Sequence, residues 1–240
     1  MSGASATQAG AGAGAAPAAK PASAWLMYRA LVGIGLVCGL LIVTAYQMTL
    51  PIIEAKRAEA LRAAIFRVLP EARSSTTFAA GADGFRALAA DEAAKADDEV
   101  VYAGYGEDGR LVGLAIEAEG MGYQDVIKIL YGYSFEHDAI IGMAVLESRE
   151  TPGLGDKIET DPAFVNNFER LDVSLDASGE AVANPIVPVK SGTKTDPWQV
   201  DTITGATISS TAVADILRNS SERWMPRVDA RQADFEGGAP

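Results

Sequence analysis

Residues 30–53 contain no charged side chain, and the centre of that run, from Ala30 to Val43, is almost wholly apolar. As an α-helix it reaches about 36 Å, longer than the roughly 30 Å hydrocarbon core of a bilayer. Trp25, Tyr28 and Tyr46 fall where interfacial aromatic side chains belong. The pattern predicts one transmembrane anchor over 25–53. The alternative is a secretory signal peptide cleaved near Val43-Thr44-Ala45. The apolar run is longer than a usual signal core and starts late, which favours a retained span.

After the span, Ala58, Leu61, Ile65 and Leu69 recur at helical spacing as far as Pro70. They predict a helix that leads the chain off the membrane, with a membrane-surface helix as the alternative. The segment 74–98 is alanine-rich with scattered charge and reads as helix and loop, so 54–98 as a whole is expected to be a helical connector. Strand-like runs then begin at 100–103 and 111–117, separated by Glu107-Asp108-Gly109, a hairpin signal. Further runs at 126–131 and 140–146 predict strands, and 162–168 a short helix. Strands are also expected at 173–175 and 187–190, with a turn at Asp176-Ala177-Ser178-Gly179. Near the C-terminus Val213, Ile216 and Leu217 mark another helix. The fold class is therefore α+β, a mostly antiparallel sheet with packed helices behind one N-terminal transmembrane helix.

Composition changes this picture at the ends. Residues 1–24 are nearly all Ala, Gly, Ser and Pro, a tail that cannot bury enough apolar surface to offset its chain entropy. With 32 acidic against 20 basic residues and a net charge of −12, nucleic acid is excluded as an expected partner. The one cysteine, Cys38, lies inside the apolar span, so there is no disulfide framework, thiolate zinc site or cysteine-ligated iron–sulfur cluster.

Two short strings carry the candidate chemistry. In Asp201-Thr-Ile-Thr204-Gly205-Ala206-Thr207-Ile-Ser-Ser210 a threonine hydroxyl is presented on a small-residue turn that leads into a helix. Gly205 permits a bend that a side chain would forbid, Ala206 leaves room, and the helix start favours an anion such as phosphate. The bland alternative is an ordinary Ser/Thr-capped helix. Upstream, Glu150-Thr151-Pro152-Gly153-Leu154-Gly155 restricts the backbone at Pro152 and opens it at both glycines, and by itself reads as a tight loop between strands.

Together these strings resemble the covalent FMN-binding domain of the G subunit of the Rnf electron transport complex. The related C subunit of the sodium-pumping NADH:quinone reductase carries the same D-x-x-[ST]-G-A-T signature. The resemblance implies FMN joined through its phosphate to Thr207, which would make the chain a flavoprotein with a phosphoryl threonine. It implies Asp201 as a recognition residue for a flavin transferase, and Glu150, Thr151, Gly153, Leu154, Gly155, Thr204, Gly205 and Ala206 as the surroundings of the cofactor. Gly120-Met-Gly122-Tyr123 is similar to the family's strand start before 126–131. The FMN-binding domain would occupy 99–217, with 218–240 as a C-terminal extension. The implied role is an electron-carrying subunit of an ion-translocating complex that couples ferredoxin/NAD electron transfer to ion movement, with the other subunits as partners. It would be a redox subunit of a translocase with no complete active site of its own.

Other candidates are weaker. Gly104-Tyr-Gly106-Glu-Asp-Gly109 satisfies G-x-G-x-x-G, but a strand and not a helix comes after it, so it is no dinucleotide fingerprint. His137, the lone histidine, reads as solvated, and Glu117 with Glu119 as a solvated strand face. Neither a catalytic nucleophile–base set nor a metal site is expected. The C subunit of the quinone reductase, or a non-redox anchored interaction domain, are the other functional readings. Lys20 and Arg29 precede the span whereas Lys56, Arg57, Arg62 and Arg67 follow it, a bias toward a cytoplasmic C-terminal side. The resemblance implies the reverse, a single-pass protein of the bacterial inner membrane with its flavin domain in the periplasm.

Overall fold

The computed structural model describes residues 24–81, 84–89 and 99–237. Two units divide the chain, Met1–Glu54 and Ala55–Pro240. Helix α1 (Ala24–Val68) supplies the whole described part of the first unit. Its residues there are exposed almost throughout, and it is long and apolar enough to cross a membrane. The expected tail, all but Ala24, lies outside the described residues. At its far end the helix stops one residue before Leu69-Pro70, where the ring removes a donor and restricts the residue ahead of it.

In the second unit the alternation of apolar and polar positions produces a seven-stranded sheet. Its strands are β1 (Ser74–Gly81), β2 (Gly84–Ala87), β3 (Glu99–Tyr105), β4 (Leu111–Met121), β5 (Val126–Ser134), β6 (Ala139–Glu147) and β7 (Leu171–Asp172). The order is β2-β1-β3-β4-β5-β6-β7, and each neighbouring pair is antiparallel. The predicted hairpin joins β3 to β4, with Gly109 at φ 73° and the Gly106 N–H donating to the Arg110 carbonyl at 2.9 Å. The G-x-G-x-x-G string thus runs from strand to strand.

Three segments differ from their expected form. Within 74–98, read as helix and loop, β1 and β2 are strands; β1 pairs with β3 from Ser74↔Tyr105 to Ala80↔Glu99. Pairing and burial of Phe78 and Ala79 outweigh the helix preference of the alanines; residues 90–98 lie outside the described ones. The strand expected at 173–175 falls instead at β7, and Leu175 makes only an isolated bridge to Val182. Finally, the C-terminal residues beyond 217 complete the core. Helix α4 (Thr207–Asp229) continues through buried Trp224, Met225 and Val228, and a 3-10 turn at Gln232–Phe235 buries Phe235.

Both faces of the sheet are covered. Val213, Ala214 and Leu217 of α4 share one core with Ile116, Ile129 and Tyr131, and the Ala64–Val68 end of α1, with Leu69, covers Ala115, Leu130 and Ala144 on the other. Successive residues of one strand supply opposite cores, as the two-residue strand period requires. Close approach of α1 depends on glycine: a Cβ on Gly132 would lie 2.2 Å from the Val68 carbonyl oxygen. Two short helices, α2 (Lys157–Thr160) and α3 (Pro162–Val165), follow β6. A separate parallel pair, β8 (Val187–Val189) and β9 (Gln199–Asp201), leads into α4.

Phe235 closes the sheet edge. Its ring meets Phe78 at 5.0 Å and Phe85 at 4.7 Å, while the Tyr105 hydroxyl donates to its carbonyl at 2.7 Å. Phe235→Ala should therefore lower stability by about 3–5 kcal/mol in denaturant unfolding followed by Trp224 fluorescence. A loss below about 1 kcal/mol would remove the C-terminal turn from the core.

Candidate functional site

The turn that delivers Thr207 is tied down at each step. The Asp201 N–H donates to Asn167 Oδ1 at 3.0 Å, and the Asn167 amide donates to the Asp201 carbonyl at 3.2 Å. Thr202 donates its N–H and its hydroxyl to the Val189 carbonyl, at 2.9 and 2.8 Å. Gly205 then takes φ 87°, a left-handed conformation that costs glycine little, and the Ala206 N–H closes on the Ile203 carbonyl at 3.1 Å. Ser210 reaches back: its hydroxyl accepts from the Ile203 N–H at 3.0 Å and donates to the Ala206 carbonyl at 2.8 Å.

Thr207 is the first residue of α4 and is exposed. The N-cap is Ala206, and no side chain caps the helix start. The alternative of an ordinary Ser/Thr-capped helix does not describe this turn, because the hydroxyls of Thr202, Ser209 and Ser210 bond elsewhere. Thr207 Oγ1 itself donates to the Ile203 carbonyl at 3.2 Å. Among the described residues, no side chain accepts from the first N–H groups of α4, which lie at the positive end of the helix dipole.

The second string forms a tight turn after β6. The N–H groups of Leu154 and Gly155 both reach the Thr151 carbonyl at 3.1 Å, with Gly153 at φ 79°. Leu154 is 52% exposed, although it is a large apolar side chain. Glu150 behaves oppositely: it is buried, accepting from the Ser209 hydroxyl at 2.5 Å through Oε2 and from the Gln124 N–H at 3.0 Å through Oε1. Thr151 donates to Gln124 Oε1 at 3.0 Å. The two strings, distant in sequence, therefore meet through Glu150 and Ser209.

A cleft of about 480 Å³ lies beside Thr207, lined also by Gly120, Met121, Ile208, Thr211 and Ile216. That volume falls within the usual range of small-molecule sites. Met121 and Ile208 are exposed at 70% and 59%. Thr204 and Asp201 line a different cleft of about 550 Å³ with Lys157 and Ser191. Asp201 Oδ1 also accepts from the N–H groups of Thr193 and Lys194, both at 3.0 Å, so it organises its own loop. Burial pushes the Lys194 ammonium pKa down, against the opposing pull of Asp201.

Of the other candidates, His137 is exposed in the turn between β5 and β6. Glu117 is more than a solvated strand residue: it pairs with Lys128 at 2.7 Å and accepts from the Tyr102 hydroxyl at 2.8 Å. In the sequence Ser209 is marked only as part of the Asp201–Ser210 string, and Gln124 is not marked at all. Their contacts span 59 and 26 residues, and no local pattern marks them.

A family profile described as an FMN-binding domain matches residues 122–222, which contain both strings. The G subunit of the ion-translocating oxidoreductase complex of Cereibacter sphaeroides is 32% identical over 233 residues, 94% of this chain and 96% of that protein. The chain belongs to this G-subunit family. Its likeness to the corresponding G subunit of Methanosarcina acetivorans is 32% over 195 residues, 79% of this chain and 88% of the relative. Two solved structures share the fold. Shewanella oneidensis NqrC is 18% identical with a TM-score of 0.55, covering 76% of this chain and 97% of its own. The C subunit of the Na(+)-translocating NADH-quinone reductase of Parabacteroides distasonis is 20% identical with a TM-score of 0.53, covering 78% and 96%.

In this member of the G-subunit family the loop packing is tight enough to test. A Cβ on Gly155 would lie 2.4 Å from Glu150 Oε2 and 2.7 Å from Glu150 Cβ. Gly155→Ala should cost about 1–3 kcal/mol in unfolding free energy by overpacking. An unchanged unfolding midpoint would show that the loop does not close on Glu150.

Proposed function

We propose that this chain is the flavin-carrying, membrane-anchored subunit of an ion-translocating oxidoreductase complex, with FMN held as a phosphoester on Thr207. The observation that carries this reading is Thr207, exposed at a helix start without a side-chain cap, inside a complete Asp201–Thr207 signature. The residues present fit such a group. Thr207 Oγ1 offers the tether, the first N–H groups of α4 stabilise a phosphate negative charge, and Gly205 and Ala206 keep the approach open. Thr204 adds a hydroxyl at the same turn. Leu154, Met121 and Ile208 offer apolar cover, and Glu150, Thr151, Gly153 and Gly155 shape the loop that carries Leu154.

FMN, when bound, supplies the redox chemistry, taking up and releasing electrons singly or in pairs. The chain's own residues hold, orient and shield, so no proton-transfer set is required of them. Asp201 is assigned to recognition by a flavin transferase during maturation. The other members of the complex are its electron-transfer partners, and the assembly couples ferredoxin/NAD electron transfer to ion movement. Identity across nearly the full length of the Cereibacter sphaeroides G subunit favours this reading over the C subunit of a quinone reductase, for which the likeness rests on fold. The flavin domain is placed outside the cytoplasm, on the periplasmic side of a bacterial inner membrane, since long domains translocate largely regardless of short-range charge.

Protein made with a flavin transferase should yield a Thr207 peptide heavier by one FMN less one water after denaturation. Thr207→Val should abolish that mass while the fold is kept. An unmodified wild-type peptide would overturn the tether. For topology, Ser178→Cys places a thiol on an exposed turn. It should react with a membrane-impermeant reagent in intact spheroplasts, whereas Cys38 in the apolar helix should not. Labelling only after membrane rupture would put the domain in the cytoplasm.

A further inference from the structure

We propose that Glu150 is a positioning residue: its buried carboxyl group ties the 151–155 loop to the first turn of α4, and so fixes the direction in which Thr207 points, without itself contacting the cofactor. The proposal rests on the reading of Thr207 as the flavin tether.

Three observations carry it. Glu150 is 7% exposed and both of its oxygens are taken by protein donors, Ser209 Oγ at 2.5 Å and Gln124 N at 3.0 Å. The backbone closes over the carboxyl from two sides, since a Cβ on Gly122 would lie 2.5 Å from Oε1 and one on Gly155 2.4 Å from Oε2. Ser209, 3% exposed, follows Thr207 by two positions on the same helix. In an α-helix two positions are about 200° apart around the axis. A bond that holds Ser209 inward therefore holds Thr207 outward. Because Glu150 directly precedes the loop that carries Leu154, the same carboxyl sets the loop and the tether relative to each other.

Full-length, detergent-extracted protein made with a flavin transferase provides the test, through iodide quenching of flavin fluorescence and the flavin midpoint potential. Ser209→Ala and Glu150→Ala should each raise the quenching constant at least twofold and shift the potential alike, and the double variant should add nothing further. Glu150→Gln keeps an acceptor for Gln124 N–H and gains a donor for Ser209, so it should stay near wild type. Unchanged quenching in Ser209→Ala, additive effects in the double variant, or a Glu150→Gln protein as perturbed as Glu150→Ala would each overturn the proposal. A lower unfolding midpoint with unchanged quenching and potential would reduce Glu150 to a structural contact and overturn it as well. A second arm uses the Thr207→Val background, which carries no tethered flavin. There tryptic cleavage after Lys157 should quicken several-fold on Ser209→Ala or Glu150→Ala and not on Glu150→Gln. If wild-type protein carries no flavin on Thr207, the tether reading fails while this arm still decides the clamp, and unchanged cleavage overturns it.

Discussion

Helix α4 approaches strand β4 so closely that a Cβ on Gly120 would fall 2.6 Å from Ile216 Cγ1, and the placement of the site follows from that approach. Beyond the first turns the helix is anchored by Val213, Ala214, Leu217 and Trp224 in the core, with the Tyr131 hydroxyl and Ser220 Oγ 2.9 Å apart across the interface. Its opening residues, Thr207 and Ile208, are left exposed beside Met121 at the end of β4. A rigid element thus presents Thr207 from its end, which is more exact than presentation from a loop.

The same end of the domain gathers three connections: the β4–β5 turn at Gly122 and Gln124, the loop after β6, and the turn from β9 into α4. The Glu150 carboxyl lies among them, with partners from the first, at Gln124, and from the opening turn of α4 just after the third, at Ser209. A buried carboxyl group is costly unless hydrogen-bonded, so its burial here requires that all three segments be in place. Elsewhere α4 is pinned by charge. Glu99 on β3 meets Arg223 at 2.6 Å and Arg227 at 2.8 Å, and its pKa is lowered chiefly by the hydrogen bond from Arg227. That contribution is present above the ordinary carboxylate range and is lost as pH falls through the lowered value.

Hydroxyls near the start of α4 divide their tasks in a way that bears on function. Ser210 satisfies the turn, Ser209 satisfies Glu150, and Thr207 alone of the three is exposed. A capped helix would have used one of them on its own N–H groups. The apolar side chains beside this start, Met121 and Ile208, are exposed in the chain by itself, an arrangement suited to a partly apolar group.

Sequence alone determined the apolar helix and the β3–β6 strands, because each depends on local physics: hydrophobic length, two-residue alternation and, at the β3–β4 turn, the backbone freedom of Gly109. The two candidate strings were singled out by resemblance, not by local physics. Sequence also rejected the G-x-G-x-x-G string, since the type of element after a turn is a local property. Tertiary structure decided the rest. The alanine-rich 74–98 segment carries strands because β3 offers β1 a partner, which its own composition does not announce. Residues beyond 217 belong to the core because Phe235 finds Phe78 and Phe85, far away in sequence. And Glu150, legible only as the first letter of a loop motif, became the meeting point of Gln124 and Ser209. A carboxyl group's burial and partners are set by which segments the fold brings together, and no neighbouring residue records them.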